Sequence, residues 1–221
     1  MRTPERFFDF NAYKQADMII KSALKLVSDA YSPSILTLST FESGTRAEES
    51  TQRAAEFARN RDINPFIDLY EKVLLPSESW ENYNLVGISI VGISQILPGL
   101  TLARLLKEKY PHLHITLGGP IFSVNANQLV DHPKFFKEFC HSIVTFEGEE
   151  PLHRLLTTLK NGSTLKDVPN LLFYEDGKVE LNEERVELRF EEMPPPTFDD
   201  LPMDLYLSPY PILPVLQSRG C

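Results

Sequence analysis

The sequence is poor in the residues that most readily announce a chemistry. Its 221 residues hold two cysteines, Cys140 and Cys221. Two thiols make no disulfide framework, so a reducing, cytoplasmic setting is the expectation. None of the five histidines (His112, His114, His132, His141, His153) stands at zinc-ligand spacing with those cysteines, so no metal motif is written in the chain. There is no G-x-G-x-x-G turn and no P-loop Lys-Ser/Thr, which removes both common phosphate cradles. Positive charge is scarce, with 22 Lys and Arg against 31 Asp and Glu and a net charge of −9. A general nucleic-acid surface needs clustered Lys and Arg and is excluded. No apolar run approaches the ~20 residues of a membrane-spanning helix. The first 29 residues lack the continuous apolar core of a signal peptide. No repeat of solenoid period and no low-complexity tract interrupts the chain.

What is present is an ordinary globular composition, 42% hydrophobic, long enough for one good core with a linker or small appendage. Residues 6–10 read as a short strand. Residues 12–30 read as a helix that lays Ala16, Ile19, Ile20, Ala23 and Val27 on one face and packs on a sheet. Residues 34–38 read as a strand, 39–44 as a polar loop, 46–59 as an exposed helix, and Pro65 to Leu75 as a further helix with proline in its first turn.

The clearest pattern lies in the middle. Asn84 to Val91 is a short apolar run of the kind found in buried parallel strands. A loop from Gly92 leads into a helix with Leu102, Leu105 and Leu106 on one face, ended by Lys107 and Lys109. His114 to Leu117 is the next strand, followed by Gly118-Gly119-Pro120 and a helix around 125–130. Ser142 to Phe146 is the third strand, and 149–159 is helical with Leu152, Leu155, Leu156 and Leu159 in step. Strand, loop and helix thus repeat three times, with crossovers too long for hairpins. That pattern predicts an α/β fold: a Rossmann-like open parallel sheet flanked by helices on both faces. After it, Leu171 to Tyr174 and Val179 to Leu181 flank Asp176-Gly177, the signature of a β-hairpin with a tight primed turn. Seven of the seventeen prolines fall between Pro194 and Pro214, as in an extended linker lying on a neighbouring surface. The expected organisation is therefore a Rossmann-like domain over 1–165, a hairpin appendage over 166–184 and a Pro-rich linker over 185–221.

In an open parallel sheet, ligands bind at the carboxyl ends of the strands. Three loops land there: Ser89 to Gln95, Gly118 to Ser123, and Phe146 to Glu150. Gly118 and Gly119 let a backbone approach a flat ligand. Ser89, Ser94 and Ser123 both donate and accept hydrogen bonds, and Glu147 and Glu149 accept from amides or hydroxyls. Each loop taken singly is explained by chain turning and helix capping. Their convergence on one edge favours a site. His112 and His114 read as structural, and Cys140 as a buried small hydrophobe.

Leu85-Val-Gly-Ile-Ser89, Thr116-Leu-Gly-Gly-Pro120, Phe146-Glu-Gly-Glu149, a hairpin, and a proline-rich stretch into Gln217-Ser-Arg-Gly-Cys221 occur here in that order. Together they resemble the cobalamin-binding radical SAM proteins over roughly 84–221. The resemblance implies a cobalamin-binding domain whose contacts come from Ser89, Val91, Gly92, Ile93, Ser94, Gln95, Gly118, Gly119, Pro120, Ser123, Phe146, Glu147, Gly148 and Glu149. These are contact residues; no residue of this chain is assigned as catalytic. The Asp-x-His-x-x-Gly motif that supplies an axial histidine in other cobalamin domains is absent, which implies cobalt held without that ligand. The resemblance also implies that Cys221 is the first thiolate of a Cys-x-x-x-Cys-x-x-Cys loop. In that family the loop holds a 4Fe–4S cluster and S-adenosylmethionine in a radical SAM barrel, which here would follow Cys221. The chain by itself is expected to be inactive. The intact enzyme would be a methyltransferase, or a related radical-catalysed modifier of a peptide or natural product. From a different class comes the alternative: a non-catalytic flavodoxin-like binding or interaction module without cobalamin.

Overall fold

The structure, a computed structural model, describes residues 2–182, 184–186, 195–199 and 201–213. The amino end is helical rather than extended. A short helix α1 (Pro4–Phe7) begins on proline, and α2 (Phe10–Ala30) begins on Asp9, whose side chain accepts from the Ala12 N–H at 2.6 Å. These caps outweigh the aromatic run at 6–10 that read as a strand. Helix α2 follows the expectation for 12–30, but it packs on a two-stranded antiparallel ribbon, β1 (Ile35–Leu36) and β2 (Phe41–Glu42), instead of the main sheet. None of its residues is fully buried, and Ile19 and Ala23 of the predicted face stay exposed. The ribbon is too small to cover a 21-residue helix.

Helix α3 (Thr51–Arg59), read as exposed from its charge, buries Ala54, Phe57 and Ala58. The helix that starts at Pro65 is regular only through α4 (Pro65–Leu69). It then widens, with the Leu75 N–H donating to the Tyr70 carbonyl five residues back, and ends in a tight turn at Ser77.

The central block forms as its pattern predicts. Strand β3 (Leu85–Ser89), helix α5 (Ile96–Lys109), strand β4 (His114–Gly118), helices α6 (Pro120–Leu129) and α7 (Pro133–Phe139), strand β5 (Ser142–Val144) and helix α8 (Glu149–Asn161) follow in order. Helix α6 starts at Pro120, earlier than its sequence suggested, because proline after Gly119 sets its first turn. Helix α7 had not been read from the sequence. Its Phe135, Phe136 and Phe139 are buried under α5. Strand β5 stops at Val144, short of Phe146.

Strands β3, β4 and β5 are parallel and adjacent. The hairpin β6 (Leu171–Glu175) and β7 (Lys178–Leu181) then continues the same five-stranded sheet, β6 pairing antiparallel with β5. The sheet is therefore mixed and mostly parallel, and the hairpin extends it instead of standing apart. Asp176 and Gly177 both have positive φ, 49° and 86°, as a primed turn requires. The fold is α/β and Rossmann-like.

Strand alternation divides the core in two. Ile115, Leu117, Ile143 and Leu172 face α3, α5, α6 and α7 in the larger cluster. Val144, Leu171 and Phe173 face Leu155 of α8 on the other side. Helix α8 covers the β5–β6 half of that second face. The carboxyl ends of β3 and β4 are left open there, and that opening places the candidate site. In the proline-rich segment, the described residues hold one short turn, Met203–Leu205, and a ring contact between Tyr210 and Phe8.

Candidate functional site

A cavity of about 430 Å³ opens at the carboxyl ends of β3, β4 and β5, within the range of small-ligand sites. Its floor follows from the two-residue strand period: Gly87 and Ser89 from β3, Thr116 and Gly118 from β4. All four are small, so the sheet surface is flat there. Val144, Phe146 and Leu152 wall it, and Gly148 and Glu149 bring the amino end of α8 to its rim.

The structure gathers Ser89, Gly118, Gly119, Phe146, Gly148 and Glu149 of the predicted contacts around this cavity. The segment 91–95 is not part of its lining. Val91 and Ile93 stand beside it in sequence, 64% and 68% exposed. Gln95 serves the loop itself, its Oε1 accepting from the Val91 and Gly92 N–H groups at 2.8 and 3.2 Å. Pro120 sits in the first turn of α6. Ser123 lies behind the wall, its Oγ accepting from the Phe146 N–H at 2.7 Å. The Glu147 carbonyl accepts from the Asn170 side chain at 3.3 Å. Cys221 lies outside the described residues.

Gly119 has φ of 116°, and a Cβ there would run into the Ile90 carbonyl. Its missing side chain makes room for the end of β3, where the Ile90 N–H donates to the Gly118 carbonyl at 2.8 Å and extends the ladder. Gly118 is different. A Cβ there would meet only the Val144 carbonyl at an ordinary 3.7 Å, so its lack of side chain flattens the floor without being forced by packing. Phe146 adopts a left-handed backbone, φ 56°, uncommon for an aromatic residue and costly enough to need local support. Ser123 supplies part of that support. The Arg185 guanidinium, 3.9 Å from the Phe146 ring centroid, supplies more.

Gly87, Thr116, Val144 and Leu152 were not among the predicted contacts. The signal for the first two was available: small residues spaced two apart, Gly87 with Ser89 and Thr116 with Gly118, on one face of adjacent strands. No comparable signal marks Val144 and Leu152, which read as core.

Two half-buried histidines, His114 and His141, lie at the other end of the sheet. His114 opens β4 and bonds through Nε2 to Ser142 Oγ at 2.8 Å. Ser142 in turn donates to Thr116 Oγ1 at 3.0 Å, which makes the histidine the donor. His141 Nδ1 accepts from the Ile115 N–H at 2.9 Å. Burial, with His141 and Lys107 nearby, lowers the His114 pKa to about 3. Burial and Lys107 lower that of His141 to about 4. Both are neutral parts of the scaffold, as the sequence indicated for His114. A larger cleft of about 740 Å³ runs between α3 and α7. It is walled by helix side chains, including the paired Arg59 and Glu138, and does not reach the strand tips. Among the described residues, no group of three or more His, Cys, Asp or Glu side chains is placed to hold a metal ion. None of their helices is long and apolar enough to cross a membrane.

Over 143 residues, 62% of its length, the chain is 29% identical to an uncharacterized methyltransferase of Pyrococcus horikoshii. The chain is distantly similar to a methyltransferase. It also aligns with the radical S-adenosylmethionine methyltransferase TsrM from Kitasatospora setae, solved with cobalamin and a 4Fe–4S cluster bound. That alignment has a TM-score of 0.37 and 17% identity and covers 79% of this chain. The chain spans 29% of the length of the first protein and 28% of the second. No protein-family model matches it.

Proposed function

We propose that this chain is the cobalamin-binding domain of a radical SAM enzyme, a methyltransferase or related radical-catalysed modifier of a peptide or natural product. The observation that carries the reading is the open cavity at the strand tips, floored by Gly87, Ser89, Thr116 and Gly118 and left uncovered by α8. The tips converge and are not plugged by bulky side chains. The distant similarity to a methyltransferase supports the methyl-transfer context.

The residues present fit such a group. The flat floor suits a planar arm of a corrinoid, and Val144, Phe146 and Leu152 offer apolar walls that exclude water. The exposed Ser89 provides a hydroxyl for hydrogen bonds to polar substituents, while the Thr116 hydroxyl is buried and held by Ser142. Among the described residues, no histidine or cysteine lines the cavity, so these side chains would position the group without coordinating its metal. When bound, cobalamin supplies a transferable methyl group; the protein's part is placement and desolvation. The 4Fe–4S cluster and S-adenosylmethionine belong to the proposal only for the intact enzyme, where Cys221 would be the first cluster ligand and further cysteines would follow it at the family spacing.

The test is retention of hydroxocobalamin by the 221-residue chain through gel filtration, read from the corrin absorption. We expect retention, and loss of it in Gly87→Leu. That variant fills the floor where a Cβ meets only Thr116 Cγ2, at 3.7 Å, so its thermal midpoint should stay within a few degrees of the parent. No retention by the parent, or equal retention by the variant, sinks the cavity assignment and restores the flavodoxin-like interaction module.

A further inference from the structure

The chain leaving β7 is tied to the rim of the cavity by Arg185 over the Phe146 ring, by Glu184 paired with Arg154 of α8 at 3.6 Å, and by a cluster of hydrogen bonds at Asn170. Asn170, just before β6, is buried, with φ of 53°, a left-handed conformation that Asn tolerates better than most residues. Its Nδ2 donates to the Val186 carbonyl at 2.9 Å and to the Glu147 carbonyl at 3.3 Å. Its Oδ1 accepts from the Val186 N–H at 3.2 Å. Its backbone continues the pattern. The Asn170 N–H donates to the Glu184 carbonyl at 3.0 Å, and its carbonyl accepts from the Thr145 N–H at 2.8 Å and the Thr145 hydroxyl at 3.0 Å. One residue therefore holds both the loop after β5, at Thr145 and Glu147, and the outgoing chain, at Glu184 and Val186. Arg185, between those two, lies over the ring of Phe146, and Phe146 lines the cavity.

We propose that Asn170 is a positioning residue that couples occupancy of the strand-tip cavity to the path of the chain at 184–186. The proposal rests on the reading of that cavity as a ligand site. A ligand seated on the floor touches Phe146, whose left-handed backbone has an ordinary, less strained alternative. Holding Phe146 in place fixes the Glu147 carbonyl and the Arg185 stacking partner, and Asn170 passes that order to Val186. By linkage, whatever fixes 184–186 from outside strengthens binding in the cavity by the same factor. A residue that served only to stabilise the fold would not transmit a ligand's presence to a segment the ligand does not touch.

Hydrogen exchange read by mass spectrometry on the 221-residue chain, with and without hydroxocobalamin, tests this. In the parent, added corrinoid slows exchange both in 145–148 and in 184–186. Asn170→Gly keeps the positive φ and removes the side chain. In that variant, ligand protection is confined to 145–148. Without ligand, 145–148 and Val186 both exchange faster than in the parent, by about tenfold, the scale expected for losing buried hydrogen bonds. Asn170→Asp keeps the acceptor for the Val186 N–H and the left-handed backbone while losing the Nδ2 donor to the Glu147 and Val186 carbonyls. If the glycine variant does not fold, this variant is read by ligand protection confined to 145–148 and by faster ligand-free exchange of 145–148, with the Val186 N–H still held. Persistent ligand protection at 184–186 in these variants overturns the proposal. So does parent protection that stops at the loop. If the parent retains no hydroxocobalamin, the ligand-site reading and the coupling to occupancy fail together, and the ligand-free arm decides only the tie between the two segments: joint acceleration upholds that tie, and acceleration at Val186 alone refutes it.

Discussion

At the residue scale, adjacent glycines do different work. Gly119 is required by the Ile90 carbonyl packed against it and by its positive φ. Gly119→Ala should destabilise the fold by about 2–4 kcal/mol, combining backbone strain with a steric clash. Gly118 has room for a Cβ, and Gly118→Ala should cost less than about 1 kcal/mol. Urea unfolding of the two variants, compared at equal m-value, checks the contrast. The sequence made the pair legible as a turn at a strand end. It did not say which glycine served packing, because the conflicting atom belongs to Ile90, far along the chain. Phe146 was legible as a candidate contact for its place at the end of the third strand. Its left-handed backbone was not, since nothing local signals it. The support comes from Ser123 and Arg185, on opposite sides in sequence.

At the element scale, the strand–helix alternation from 84 to 161 was readable because burial on both faces leaves continuous apolar runs bounded by polar loops. The amino-terminal elements were harder. Caps at Pro4 and Asp9 overrode aromatic β-propensity, and α3 hides a small apolar face inside a charged sequence. The hairpin's turn was plain, while its pairing with β5 depended on an edge that no local pattern marks. The β4–β5 junction carries a pH prediction. His141 replaces a ladder partner by accepting from the Ile115 N–H, and it does so only when neutral. His114 and His141 have folded pKa values lowered to about 3 and 4. In the unfolded chain both titrate near the ordinary value of ~6.5. Below that pH the unfolded state binds protons that the folded state refuses. Their contribution is complete above about pH 6.5 and is lost as the pH falls toward 4 and then 3. The slope is at most about 1.4 kcal/mol per pH unit for each histidine. Urea midpoints between pH 7 and 4 should fall accordingly, and His141→Gln should flatten the dependence.

At the scale of the whole molecule, one sheet joins two cores. Leu172 and Phe173 are neighbours in β6 and point into different ones. If the sheet makes the two cores a single cooperative unit, Leu172→Ala and Phe173→Ala should cost about 2–5 and 3–5 kcal/mol. Each should do so within one unfolding transition, with fluorescence and circular dichroism coinciding. A second transition in the Phe173 variant alone would mean that the α8 face melts separately. The same layering explains the opening at the strand tips: among the described residues, α3, α5, α6 and α7 crowd one face, and α8 covers only part of the other.

The placement of Cys140 has a practical corollary. It is wholly enclosed at the end of α7, its carbonyl and that of Phe136 held by the Lys107 ammonium at 2.9 and 2.6 Å. Burial drives its thiol pKa well above the ordinary value. An alkylating reagent should therefore leave this sulfur unmodified in the intact protein and reach it only when the α5–α7 layer parts from the sheet. Followed by peptide mass mapping, the rate of Cys140 alkylation becomes an intrinsic clock for that opening.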